Sequence, residues 1–153
     1  MKIEQILTPE HSQYKVEGVS KKRVLEYLST FLNDADGSHS DADAIYQKLL
    51  ERERLGSTGI GHGVAIPHCR VKNCTEITGA LLKLTDKVDF DAIDGEPVDL
   101  IFALIVPEEH DQEHLEALSA IAELLQDENY RNKLRSATSN RELYNLAIVS
   151  NPS

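Results

Sequence analysis

Apolar residues recur along this chain with two periods, and the change from one to the other marks its elements. Val24, Leu25, Leu28, Phe31 and Leu32 fall on one face of a 3.6-residue repeat. Ser20 stands where an N-cap belongs and Gly37 lies a few residues beyond, which predicts a helix between them. A second helix is expected to start near Ser40 or Asp41, with Ile45, Leu49 and Leu50 as its apolar positions and Gly56 at its C-terminal stop. A glycine-dense turn, residues 56–63, then feeds a short apolar run, Val64-Ala65-Ile66, closed by Pro67-His68. Residues 77–84 read as a strand. The run Val-Asp-Leu-Ile-Phe-Ala-Leu-Ile-Val from Val98 to Val106 is the pattern of a strand buried on both faces, and Pro107 ends it. A helix is expected from about Asp111 to Leu125, with Leu115, Leu118, Ile121, Ala122 and Leu125 on its apolar face. A shorter helix holds Tyr130 and Leu134, and the capping-box pattern Ser139-Asn140-Arg141-Glu142 opens a last one. The first nineteen residues read as irregular or short-strand material. Helices interleaved with strands predict an α/β fold: a mixed β-sheet flanked by helices on both faces, a single-domain sandwich.

The 153 residues fit one domain over 1–153, with a core of about 5–148, and a chain of this length can bury a core without disulfides or a structural metal. The formal net charge of −10 repels phosphate backbones, which argues against nucleic acid as a partner and gives no attraction to an anionic membrane face. Neither an apolar signal-peptide region nor a stretch of roughly 18 apolar residues is present, so membrane insertion is not expected. Cys69 and Cys74 make no disulfide framework, and the cytoplasm is the expected location.

Two histidines stand out by placement. His68 follows a short strand, and His114 falls in the first turn of the helix after the central strand. If those strands are parallel neighbours, both side chains reach the same sheet edge, where α/β proteins gather their sites. A neutral imidazole is a good nucleophile near pH 7, and phosphoryl transfer asks chiefly for positioning and positive charge. Arg52 can supply that charge through a guanidinium that grips phosphate with parallel bonds, and His114 can orient His68 or bond the phosphoryl oxygens. The bare backbone of the glycine turn lets N–H groups approach an anion, which makes Ser57, Thr58, Gly61 and Gly63 the candidate phosphate cradle. Each feature also has a plainer reading. A histidine after proline is commonly a loop residue, Glu51-Arg52-Glu53-Arg54 is commonly a solvated helix face, and glycines commonly make a tight connection. On these grounds alone the reading stops at an α/β domain with a candidate anion site.

Three other patterns do not carry function. Gly56 to Gly61 has P-loop spacing, but His62-Gly63 stands where Lys-Ser/Thr is required, so nucleotide hydrolysis is rejected. His110-Asp111-Gln112-Glu113-His114 matches the H-x-x-E-H zinc-peptidase pattern but brings no clear third ligand. Cys69 and Cys74, at C-x₄-C spacing, read as inert.

The segment from Leu50 to His68, Leu-Glu-Arg-Glu-Arg-Leu-Gly-Ser-Thr-Gly-Ile-Gly-His-Gly-Val-Ala-Ile-Pro-His, closely resembles the active-site segment of the enzyme IIA family of the mannitol/fructose/nitrogen type. That family serves the bacterial phosphoenolpyruvate-dependent phosphotransferase system. The resemblance continues through Phe90-Asp91-Ala92-Ile93-Asp94-Gly95-Glu96-Pro97-Val98-Asp99-Leu100, Phe102-Ala103-Leu104 and His114-Leu115, and covers Ser20 to Glu26, so it spans almost the whole chain. Within the family the nitrogen type is the most similar. The resemblance implies that His68 is phosphorylated, that His114 is the second active-centre histidine and that Arg52 supports the phosphoryl group. It implies an HPr-like phosphocarrier as donor, phosphoenolpyruvate as ultimate source and no cofactor, nucleotide or metal. It also implies regulatory target proteins that sense the phosphorylation state. A sugar-transport IIA that passes phosphoryl to a IIB domain, and an interaction domain that is not phosphorylated, stand as alternatives. His62 departs from the asparagine or small polar residue that family members often carry. The carboxylates around His114 (Glu108, Glu109, Asp111, Glu113 and Glu116) are expected mostly to face solvent, since at the site they would disfavour a phosphoryl group.

Overall fold

The computed structural model describes residues 2–33, 42–72, 74, 76–109 and 111–149. Gly37, the expected start of the second helix at Ser40 or Asp41, and His110 lie outside the described residues. The apolar run becomes β6 (Val98–Pro107), buried along its whole length. Antiparallel β5 (Thr78–Val88) lies along one edge of β6. Along the other edge β3 (Val64–Ala65) and then β4 (His68–Val71) pair with it in parallel. β1 (Ser12–Val16) extends one side parallel to β5, and β2 (Gly59–Gly61) extends the other antiparallel to β3. Among the described residues the sheet is six-stranded and mixed, as the interleaved pattern predicts.

Side chains of a strand alternate between its faces, and β6 shows what each face meets. Ile101, Ala103 and Ile105 join Val24, Leu25, Leu28 and Leu32 of α1 (Lys21–Asn33) and Ile45 and Leu49 of α2 (Ala42–Leu55). Leu100, Phe102 and Leu104 turn the other way. They join Ala117, Ile121 and Leu125 of α3 (Asp111–Gln126), Leu134 of α4 (Glu128–Arg135) and Leu143 of α5 (Asn140–Val149). Each large apolar side chain so buried stabilises the fold by about 1.5–3 kcal/mol. The double-sided strand is therefore the centre of the molecule's stability.

Local chemistry sets the helix starts. The Ser20 hydroxyl accepts the Arg23 N–H at 3.2 Å. The Asp127 carboxylate accepts the Asn129 and Tyr130 N–H groups and caps α4. At α5 the Glu142 N–H donates to Ser139 Oγ at 3.0 Å, but the Glu142 carboxylate reaches the Thr138 N–H at 2.8 Å. The expected capping box is thus displaced by one residue on its carboxylate side.

Other departures are informative. The N-terminal segment includes a paired strand, β1, and β5 runs four residues past Leu84 to Val88. His68 opens a strand rather than a loop. Leu115 is 62% exposed, because the inward positions of α3 fall to His114, Ala117, Ile121 and Leu125. Among the described residues no helix is long and apolar enough to cross a membrane.

Candidate active site

The site is built where the last turn of α2 meets the start of β4. In that turn Arg52 and Glu53 diverge. Glu53 is buried; its carboxylate pairs with Lys21 Nζ at 2.7 Å and accepts both the N–H and the hydroxyl of Thr58. Arg52, its neighbour, is tied to the helix end by an Nη1–H bond to the Gly56 carbonyl at 2.8 Å, and its Nε–H donates to His68 Nε2 at 3.3 Å.

Cys69 joins the cluster on the α1 and α2 side, so its strand neighbours His68 and Arg70 take the opposite face, beneath α3. The tautomer of His68 follows from its neighbours. Nδ1 lies 2.8 Å from the Ile66 carbonyl, which can only accept, so Nδ1 carries the proton. Nε2 faces an Arg52 N–H, which can only donate, so Nε2 holds the lone pair. Burial lowers the His68 pKa below the ordinary 6.5, and the Arg52 charge adds to that, while the Ile66 hydrogen bond opposes it. The net effect favours the neutral, nucleophilic ring.

Helical periodicity turns His114 inward from α3, where it is 8% exposed. Its ring lies edge-on to His68, the centroids 5.4 Å apart and the planes at 79°. Parallel pairing of β4 with β6 brings the two histidines together, since α3 follows β6 directly. Arg70, two residues along the same strand face, donates Nε–H to His114 Nδ1 at 3.3 Å. Glu108, Glu109 and Glu116 are exposed; the side chains of Asp111 and Glu113 lie outside the described residues.

The glycine turn does not belong to this centre. The Gly63 carbonyl accepts the Asp99 and Leu100 N–H groups, whereas His68 is level with Leu104. At about 3.3 Å per residue that separation along the strand is well over 10 Å. Gly61 lies beside Asp94, and Gly63 lies against Arg135 and Asp99, so neither can cradle a group on His68. Ser57 and Thr58 sit nearer, yet their hydroxyls are spent on the Phe90 carbonyl and the Glu53 carboxylate. His62 occupies the left-handed region at φ 58, a conformation that also suits the asparagine expected there. Sequence reasoning missed Arg70 and the Lys21–Glu53–Thr58 cluster. Arg70 had one signal, its i+2 spacing from His68 on a strand. The cluster had none, because Lys21 and Glu53 meet only through the fold. Among the described residues no group of three or more His, Cys, Asp or Glu is arranged to hold a metal ion.

The family model described as "Phosphoenolpyruvate-dependent sugar phosphotransferase system, EIIA 2" matches residues 5–149. A "Nitrogen regulatory protein" of Pseudomonas aeruginosa is 47% identical over 148 residues, covering 97% of this chain and 96% of that protein. A "PTS system fructose-specific EIIABC component" of Bacillus subtilis is 36% identical over 139 residues, 91% of this chain but 22% of that protein. The crystal structure of nitrogen regulatory protein IIA-Ntr from Neisseria meningitidis superposes with a TM-score of 0.88 at 39% identity, covering 95% of this chain and 98% of that one.

Proposed function

The chain belongs to the EIIA 2 family of the phosphoenolpyruvate-dependent sugar phosphotransferase system, and we propose that it is a phosphohistidine carrier of the nitrogen branch. In this reading an HPr-like phosphocarrier donates a phosphoryl group to His68, and the phosphorylation state governs which regulatory targets the protein binds. The observation that carries it is the setting of His68, its Nδ1 against the Ile66 carbonyl and its Nε2 beside the Arg52 guanidinium, which together select the ring with its lone pair on Nε2.

The step follows from that geometry. Nε2 attacks phosphorus in line, an N–P bond forms, and the donor's N–P bond breaks with its electron pair returning to the donor ring. The Nδ1 proton stays in place, and the Ile66 carbonyl stabilises the positive charge that develops on the ring. The Arg52 Nε–H now resting on Nε2 yields to phosphorus. The guanidinium, still tied to the Gly56 carbonyl, then meets the phosphoryl oxygens. His114 bonds at the same centre. The residues perform this exchange without nucleotide or metal, the phosphoryl group coming ultimately from phosphoenolpyruvate, and a donor of this kind implies a cytoplasmic location.

The nitrogen-regulatory subtype rests on relatives of that name aligned over nearly their full length. A second reading, a sugar-transport IIA that passes phosphoryl to a IIB domain, is favoured by the fructose-specific relative. The test is intact mass after incubation with phosphoenolpyruvate, an enzyme I homologue and an HPr-like carrier. Wild type is expected to gain one acid-labile phosphoryl and His68→Ala none, while His114→Ala keeps part of the uptake. Uptake by His68→Ala would overturn the assignment.

A further inference from the structure

His114 stands edge-on to His68 and deep in the molecule, so the nitrogen on which it carries its proton decides what it can do there. A neutral imidazole has one donor and one acceptor, and a partner that can only donate selects between them. Arg70 is such a partner. Its guanidinium has no acceptor, and its Nε–H meets His114 Nδ1 at 3.3 Å. Nδ1 is therefore the acceptor, and the ring proton lies on Nε2. The strand supplies the placement: Arg70 is two residues from His68 on the same face of β4, and β4 is level with the end of β6 from which the chain leads to His114. Arg70 itself is exposed, as a residue acting from the rim of a site would be.

We propose that Arg70 is a positioning residue for phosphoryl transfer, its Nε–H holding His114 in the tautomer protonated on Nε2, so that His114 offers a hydrogen-bond donor to the phosphoryl group on His68. This rests on the carrier reading above. His68 itself takes the opposite tautomer, protonated on Nδ1, from the Ile66 carbonyl and Arg52. The two rings thus play complementary roles: one presents a lone pair and the other a proton. Two arginines of unlike position set them, Arg52 from a helix end and Arg70 from the strand.

The test uses the whole chain and two variants. Arg70→Met keeps the length of the stem and removes the donor, and Arg70→Lys restores a donor. Long-range ¹H–¹⁵N spectra of the histidine rings report the tautomer directly, and intact mass follows uptake from phosphoramidate, which needs no protein donor. In that reaction the P–N bond of phosphoramidate breaks as the bond to His68 forms, and ammonia leaves. Wild type should show His114 protonated on Nε2 and His68 on Nδ1. Arg70→Met should lose the single His114 tautomer, keep that of His68, and take up phosphoryl about tenfold to a hundredfold more slowly, the range met when a group that orients a metal-ligating histidine is removed. Arg70→Lys should recover most of both signals. An unchanged His114 tautomer in Arg70→Met, or a rate within about twofold of wild type while wild type accepts phosphoryl, would overturn this inference alone. A wild-type protein that accepts no phosphoryl would overturn the carrier reading on which it stands.

Discussion

At the scale of single residues, phosphoryl acceptance as proposed turns on which nitrogen of His68 is free. In the proposed carrier step the neutral ring is the nucleophile, and burial with the Arg52 charge lowers its pKa below 6.5. Phosphoryl acceptance should therefore hold through neutral pH and fall only as the ring protonates, with the acid limb centred below 6.5. A rate profile from a donor insensitive to pH checks this, and an acid limb centred above 6.5 would contradict it. Glu53 is a second test. It is the acceptor for two Thr58 groups and the counter-charge of Lys21, so Glu53→Ala should cost roughly 1–3 kcal/mol in urea unfolding by leaving buried donors unmet. A loss below about 0.5 kcal/mol would show that water or rearrangement satisfies them. Residues of this kind are the least legible in a sequence. His68 and Arg52 could be singled out within one segment. Arg70 bears on a helix 44 positions away, and Lys21 bears on a helix end 32 positions away.

At the scale of elements legibility followed length. The helices α1, α2, α3, α4 and α5 and the strands β5 and β6 announce themselves, because each repeats its period often enough to be read. The strands β2, β3 and β4 hold two to four residues each, three of the ten positions between Gly59 and His68 being glycine, so no period can show. They exist because β6 pairs with β3 and β4, and β3 with β2, a property of the sheet rather than of the segment. The glycine turn misled for a related reason. Flexible backbone was legible, but its place along β6 was not, and that place is the end opposite His68. His114 and Leu115 show the converse. The helix was legible, yet its apolar face had to be shared with a histidine, which displaced a leucine to the surface.

At the scale of the whole molecule one strand joins two apolar clusters, and the site lies where α2 and α3, from opposite faces, meet its end. Both clusters should unfold together. Phe102→Ala, beneath α3, is expected to cost about 3–5 kcal/mol and to shift fluorescence and circular-dichroism transitions equally. Separate transitions would mean that the two faces are independent. Because His68 is positioned by a strand and His114 by a helix, not by loops, the same substitution should leave the ring tautomers unchanged under folded conditions.

The proposed carrier step places the phosphoryl group on Nε2 of His68. The most direct measurement is a ³¹P–¹⁵N correlation spectrum of the phosphorylated, ¹⁵N-histidine-labelled protein. Coupling of phosphorus to Nε2 of His68, with Nδ1 still bearing its proton, is the predicted result. Coupling to Nδ1 of His68, or to any nitrogen of His114, would contradict it.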